Sequence, residues 1–311
     1  MNNLAVLCLV LLAAYGLLNL LLSILVVCLW TAWLEPKPLT SRGLFALRLF
    51  PSLGASFLTL FVILPAFLMQ EPNRSAEPVG PLLILMVAYA LVATGAGCSR
   101  GWRAWCATAE LLRDCGPRSA RFSIAGRDVE IIDIPGIMVA VVGAWRPRIV
   151  AATCVLDACT CEELREVIGH EAAHISTHDN LKLLLLVSSP DMLALMPAGE
   201  ELIARWRTAA EFEADAVATA QDPLKRVTLA AALIKVARIS CAKRLPDELS
   251  MPILVDDVDG RVRRLLAPLP AAHSLPPAKK LAALALLIPP LAVPLHGLIQ
   301  DFIELLVAFG H

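Results

Sequence analysis

Four stretches of this chain run for twenty positions or more without a charged residue: 1–34, 49–70, 78–99 and 281–300. A bilayer interior offers backbone N–H and C=O groups no partner but each other, so an apolar run that enters it must be helical. About 20 helical residues cross the hydrocarbon core, and each stretch meets that length. Pro289, Pro290 and Pro294 must kink the last one. These runs carry the excess of apolar residues, 58% against 18% charged. The first is too long and unbroken for a cleaved signal peptide, and it has no basic start. We therefore expect transmembrane helices at 1–34, 49–70, 78–99 and 279–300, with residues 100–278 between the third and fourth. That middle region is long enough for a core of its own.

Basic residues near the span ends set the orientation. Lys37, Arg42 and Arg48 follow the first span, Arg100, Arg103 and Arg113 follow the third, and Lys279 and Lys280 precede the last. In the loop after the second span Arg74 is offset by Glu71 and Glu77, and beyond the last span the charges are Asp301 and Glu304. The basic flanks share one side. This places the N-terminus outside, the middle domain in the cytosol and the C-terminus outside. A net charge of −1 and 5% aromatic residues give no footprint for nucleic acid. Nine scattered cysteines, an odd count, suit a reducing compartment rather than a disulfide framework. Cys159-x-Cys161 lacks the second pair that a metal site of that kind would need.

Within the middle region, 129–134, 137–142 and 147–152 are short β-branched runs bounded by Pro or Gly, and they read as strands. Thr160 followed by Glu163 is a capping box that opens a helix. That helix runs through His170 and His174 toward His178. Positions four apart share a helix face, so His170 and His174 can reach one metal ion. Glu171 lies about 100° round, within reach of a water held there. Two neutral nitrogen ligands and a carboxylate that takes a proton are what a zinc hydrolase needs. Residues 181–197 are apolar enough to suggest another span, but Lys182 and Asp191 oppose it. A full crossing would also carry later ligands to the wrong side. We expect a helical hairpin there, packed in the domain or dipping into the bilayer.

The third ligand is sought in Glu211-Phe212-Glu213-Ala214-Asp215, inside a helical stretch at 200–220. Glu211 and Asp215 share a face and Glu213 points away. One of the pair can bind metal while the other accepts the second N–H of a histidine. Glu211 is our choice of ligand. A third histidine at the spacing of metzincins would fall on Asn180, which excludes that class, and His178 reads as a surface histidine.

His170-Glu171-Ala172-Ala173-His174, Asp179-Asn180 and Glu211-x-x-Ala214-Asp215 together resemble the membrane-embedded gluzincin metallopeptidases. These include the BlaR/MecR-type antirepressor peptidases and, more distantly, the HtpX and CAAX prenyl protease group. Trp145-Arg146-Pro147-Arg148-Ile149-Val150 is similar to that group's strand before the metal helix, and Glu162-Glu163-Leu164 to the helix opening. Arg261-Val262-Arg263-Arg264-Leu265 is similar to its recurring arginine segment, so the resemblance covers 125–266. It implies an α-helical membrane protein with an inserted α+β zincin-like (gluzincin) domain, a small sheet plus active-site helices. It also implies zinc on His170, His174 and Glu211, with Glu171 as general base and Asp215 holding a ligand histidine. Arg148, Ile149 and Val150 would receive a substrate as an added β-strand. Tyr15 and Tyr89 lie in spans, which leaves Arg261 or His273 to stabilise the oxyanion. We expect no ligand-sensing domain beyond the last span.

The expected protein is thus a zinc endopeptidase of a bacterial plasma membrane, acting in signal transduction. It would cut a membrane-near or cytosolic regulatory protein, with a transcriptional repressor or a separate sensor subunit as partner. A catalytically silent zinc-binding membrane sensor is the rival reading.

Overall fold

The computed structural model describes residues 3–35, 37, 39–70, 80–114, 121–132, 137–242 and 258–268. The expected span at 279–300 and His273 lie outside the described residues. Helix α1 (Asn3–Leu29) ends in a π-helical turn, Trp30–Leu34. Helix α2 (Ser41–Leu58) passes through a second π-helical turn, Thr59–Ile63, into α3 (Leu64–Gln70). That turn lies just ahead of Pro65, whose ring excludes a regular i→i−4 bond. With α4 (Pro81–Asp114), the described residues hold three helical stretches long and apolar enough to cross a membrane: Leu4–Ala32, Ser41–Met69 and Pro81–Leu111.

Two of these exceed the uncharged runs. The second starts at Ser41 because the Thr40 hydroxyl caps it, accepting from the Gly43 N–H. Arg48 does not stop it, since Arg48 is buried against Asp191. At about 1.5 Å per residue α4 is about 51 Å long, well beyond a hydrocarbon core of about 30 Å. Its far end supports a sheet: Leu111 packs on Ile132, Val142 and Val150.

That sheet holds β1 (Arg121–Ile124), β2 (Arg127–Ile132), β3 (Val139–Val142) and β4 (Arg148–Ala152), in the order β1-β2-β4-β3. A two-residue turn at Ala125 and Gly126, both with positive φ, joins β1 to β2. β4 runs parallel to β2 and antiparallel to β3. The expected substrate strand therefore needs correction. Ile149 and Val150 are already paired on both sides, and Arg148 pairs with Val142 of β3, so β4 lies inside the sheet rather than at its edge. The edge beside the helices is β3.

Helices α5 (Thr153–Ala158), α6 (Cys161–Thr177), α9 (Pro223–Ala242) and α10 (Val258–Leu266) cover the opposite face. Val129, Ile149 and Ala151 there meet Val167, Ile168, Leu229, Val236 and Leu265.

α7 (Asp179–Ser188) leads to a reversal at 189–191, a 3-10 turn (Met192–Leu195) and then α8 (Pro197–Thr219). The reversal is seated among the three apolar helices. Arg100 donates to the carbonyls of Val187 and Ser189, while Tyr15 and Asn19 donate to that of Pro190. A Cβ at Gly97 would lie 2.6 Å from the Ser188 carbonyl oxygen, so only glycine lets α4 come this close. Irregular backbone persists among apolar helices only when side chains satisfy it in this way. Beyond the tip, Leu202 and Trp206 of α8 bury against Val26, Trp30, Leu44 and Leu49 of the first two helices.

Candidate metal centre

The capping box that opens α6 is closed on both sides: Thr160 Oγ1 accepts from the Glu163 N–H at 3.2 Å, and Glu163 Oε2 accepts from the Thr160 N–H at 2.8 Å. With its start fixed, α6 brings His170 and His174 to one face, their rings edge-on at 4.7 Å. The helix ends at His178, which takes the left-handed conformation (φ 58°) and points to solvent. That single step turns the chain so that Asp179, first residue of α7, faces back toward His174. Asp179 Oδ2 lies 2.8 Å from His174 Nδ1, and its other oxygen is held by Lys182 at 3.1 Å. A carboxylate can only accept, so His174 Nδ1 carries the proton and Nε2 is left as a ligand atom.

α8 supplies the acidic wall. Glu211 places Oε2 3.3 Å from His170 Nε2 and Oε1 3.5 Å from His174 Nε2, and the two Nε2 atoms are 3.1 Å apart. Four ligands at about 2.0–2.1 Å from a tetrahedral divalent ion stand about 3.3–3.4 Å from one another. The three separations bracket that edge, so the residues fit such an ion. Among the described residues this is the group that could hold a metal, and no cysteine belongs to it. Asp215, one turn beyond Glu211, puts Oδ1 2.9 Å from His170 Nδ1 and fixes that ring as Asp179 fixes the other. Glu213 faces elsewhere, accepting from the Ser41 hydroxyl at 2.7 Å.

Arg261 of α10 ties the carboxylates together. It grips Asp215 through Nε (3.0 Å) and Nη2 (2.6 Å), and reaches Glu211 Oε2 through Nη1 at 2.8 Å. Expected as an oxyanion donor, it stands among the described residues as a brace for two acidic partners of the histidines. Glu171 is buried and borders a cavity of about 30 Å³ that His170, Val139, Val167, Leu233 and Arg261 also line. That is room for a water beside the carboxylate.

Burial lifts the Glu171 carboxyl above the usual range, with Glu211 adding to the effect and both histidines opposing it. For His174 burial alone would act downward, but the hydrogen bonds to Asp179 and Glu211 outweigh it and push the ring up to about 10. His170 is raised for the same reason by Asp215 and Glu211. Burial would raise Glu211 too, yet the two histidines and Arg261 hold it well below the usual carboxylate range.

The metal-free protein therefore carries imidazolium at neutral pH. Its ion pairs contribute to stability in full below about pH 6.5, the ordinary histidine value, and that contribution is lost as pH rises through about 10. The depressed carboxylates act the other way, losing their contribution as pH falls below their ordinary range. Because ligand nitrogens must be neutral, metal uptake at pH 7.5 should release about one proton, from His174. Calorimetry in buffers of different ionisation enthalpy counts it, and release of none would show that His174 was already neutral.

In the sequence Asp179 stands only as part of the Asp179-Asn180 motif; nothing in helical periodicity assigns it to His174. An acidic residue just past the second histidine is the signal that could have found it. Residues 118–239, spanning the sheet through α9, match the model of Peptidase family M48. The match covers less than half of the chain, includes every candidate ligand and supports a metallopeptidase. No curated protein and no solved structure matches the chain.

Proposed function

We propose that this chain is a zinc-dependent integral-membrane endopeptidase of the BlaR/MecR antirepressor type, with its catalytic part on the cytosolic side of a bacterial plasma membrane. One observation carries the reading: Nε2 of His170, Nε2 of His174 and the Glu211 carboxylate converge at tetrahedral spacing, while Asp215 and Asp179 hold the other ring nitrogens. The three apolar helices suggest membrane association.

Zinc, when bound by His170, His174 and Glu211, supplies Lewis acidity that polarises a peptide carbonyl and acidifies water. Glu171 takes the proton of the attacking water and passes it to the leaving amine. The apolar wall around Glu171 keeps bulk water out and its basicity high. Arg261 keeps Glu211 and Asp215 charged and in place. An extended substrate lies along the open edge of β3, whose Val139 lines the cavity beside Glu171. The substrate is a membrane-near or cytosolic regulator such as a transcriptional repressor, under the control of a separate sensor subunit.

Bound zinc per chain in detergent-purified protein tests this. Wild type and Glu213→Ala should hold close to one zinc and Glu211→Ala little. Retention by the Glu211 variant would move the third ligand elsewhere, and a metal-free wild type under non-chelating conditions would sink the assignment.

A further inference from the structure

We infer that Asn180 is a substrate-binding residue that takes over from β3 where that strand's own edge is closed; the inference rests on the peptidase reading above. Backbone groups along an antiparallel strand face the neighbour and the open side alternately. The Met138 carbonyl accepts from the Ala152 N–H at 2.7 Å, and Ala140 and Val142 are opposite Val150 and Arg148. Residues 138, 140 and 142 thus turn to β4, and Val139, Val141 and Gly143 turn outward.

The outward carbonyls do not all remain open. Asn180 Nδ2 donates to the carbonyl of Val141 at 2.8 Å and to that of Gly143 at 3.0 Å. Both amide hydrogens are consumed, so the side chain cannot be flipped without setting acceptor against acceptor. Its Oδ1 has no partner among the described residues.

Among the described residues, the outward edge of β3 presents the Val139 N–H and carbonyl, at its buried inner end (Val139 is 4% exposed), the Val141 N–H, and then Asn180 Oδ1 in place of the Val141 carbonyl. A peptide laid along β3 pairs with Val139, and its next N–H meets the asparagine. Because Asn180 directly follows Asp179, the residue that receives the peptide is covalently joined to the one that holds His174. Beside it, Val141, Gly143, Pro147, His174, Ile175 and Leu181 line a cavity of about 10 Å³. That is about the space of one water or methyl group. The ligand is an extended peptide with a free backbone N–H and a small side chain (glycine, alanine or serine) at this position.

The probe is β-casein, a disordered protein, incubated with zinc-loaded full-length enzyme and its cut sites mapped by mass spectrometry. Peptides spanning one such site are then made with each amide N-methylated in turn. Asn180→Ala should raise KM about fivefold, the worth of one net hydrogen bond, with kcat and zinc content unchanged. One N-methylated peptide should cost wild type a similar factor and cost Asn180→Ala nothing further. Asn180→Ser, which keeps a donor for β3 and moves the acceptor, carries the same comparison if the alanine variant is unstable. Multiplying losses, about 25-fold together, would overturn the inference while leaving the peptidase reading intact. So would a preference for bulky side chains at the sensitive position. Zinc-loaded wild type that cuts no casein would bring down both.

Discussion

Glu171→Gln should keep its zinc and lose turnover by about 10²–10⁴-fold, the usual worth of a general base. Glutamine preserves the shape and hydrogen-bonding reach of the side chain but cannot take a proton from water. The His170, His174 and Glu211 geometry does not pass through Glu171, so metal content should be unaffected. Stability should hold or rise. A carboxyl buried beside Val139, Val167 and Leu233 is held there at a cost, as its raised pKa indicates. A neutral amide lowers that cost, and a base that destabilises its own surroundings is a common trade of stability for activity. Casein cleavage, zinc content and thermal midpoint, measured on one preparation, separate these effects. Substantial cleavage by the variant would remove Glu171 from its role. Full zinc and no cleavage, together with an unchanged cellular phenotype, would favour the silent sensor instead.

The metal helix was readable because its information is local. A capping box four residues long and histidines four apart need nothing from the rest of the chain. The same holds for Glu211 and Asp215 on α8, and for Glu213, which turns to Ser41. Longer-range features were not readable. Strand order depends on which neighbour each apolar run meets, and nothing in the run at 147–152 shows that β2 and β3 enclose it. β1 (Arg121–Ile124) is a short strand made regular by its hairpin with β2, and its four residues carry little pattern. Asp179 reaches His174 only because His178 adopts a left-handed conformation that sequence periodicity does not register. Counting charges puts the start of the second span at 49; the helix that Thr40 caps at Ser41 carries Arg48 within it because Arg48 finds an acid 143 residues away.

That pair carries the second large prediction. Arg48 is 0% and Asp191 3% exposed, and Arg48 Nη1 contacts both carboxylate oxygens at 2.9 and 2.8 Å. The Ser52 hydroxyl adds a bond to Asp191 at 2.7 Å, while Arg48 Nε has no partner among the described residues. Breaking such a pair costs more than the pair itself is worth, because one charge stays buried without compensation. Asp191→Ala should therefore destabilise the detergent-purified protein by about 3–5 kcal/mol, whereas Arg48→Met with Asp191→Leu should return most of that loss.

The effect should reach the metal. Asp191 sits at the reversal that leads into α8, and a Cβ at Gly199 would lie 1.9 Å from the Leu193 carbonyl oxygen, so turn and helix are locked together. Glu211 is carried on that same helix, three turns further on. Loosening the reversal should lower zinc occupancy in Asp191→Ala, and the double variant should recover it along with stability. Loss of stability without loss of zinc would mean that α8 is positioned by its other contacts, Trp206 in the apolar joint and Glu213 on Ser41. A single variant within about 1 kcal/mol of wild type, the range of an exposed pair, would mean that water reaches Arg48.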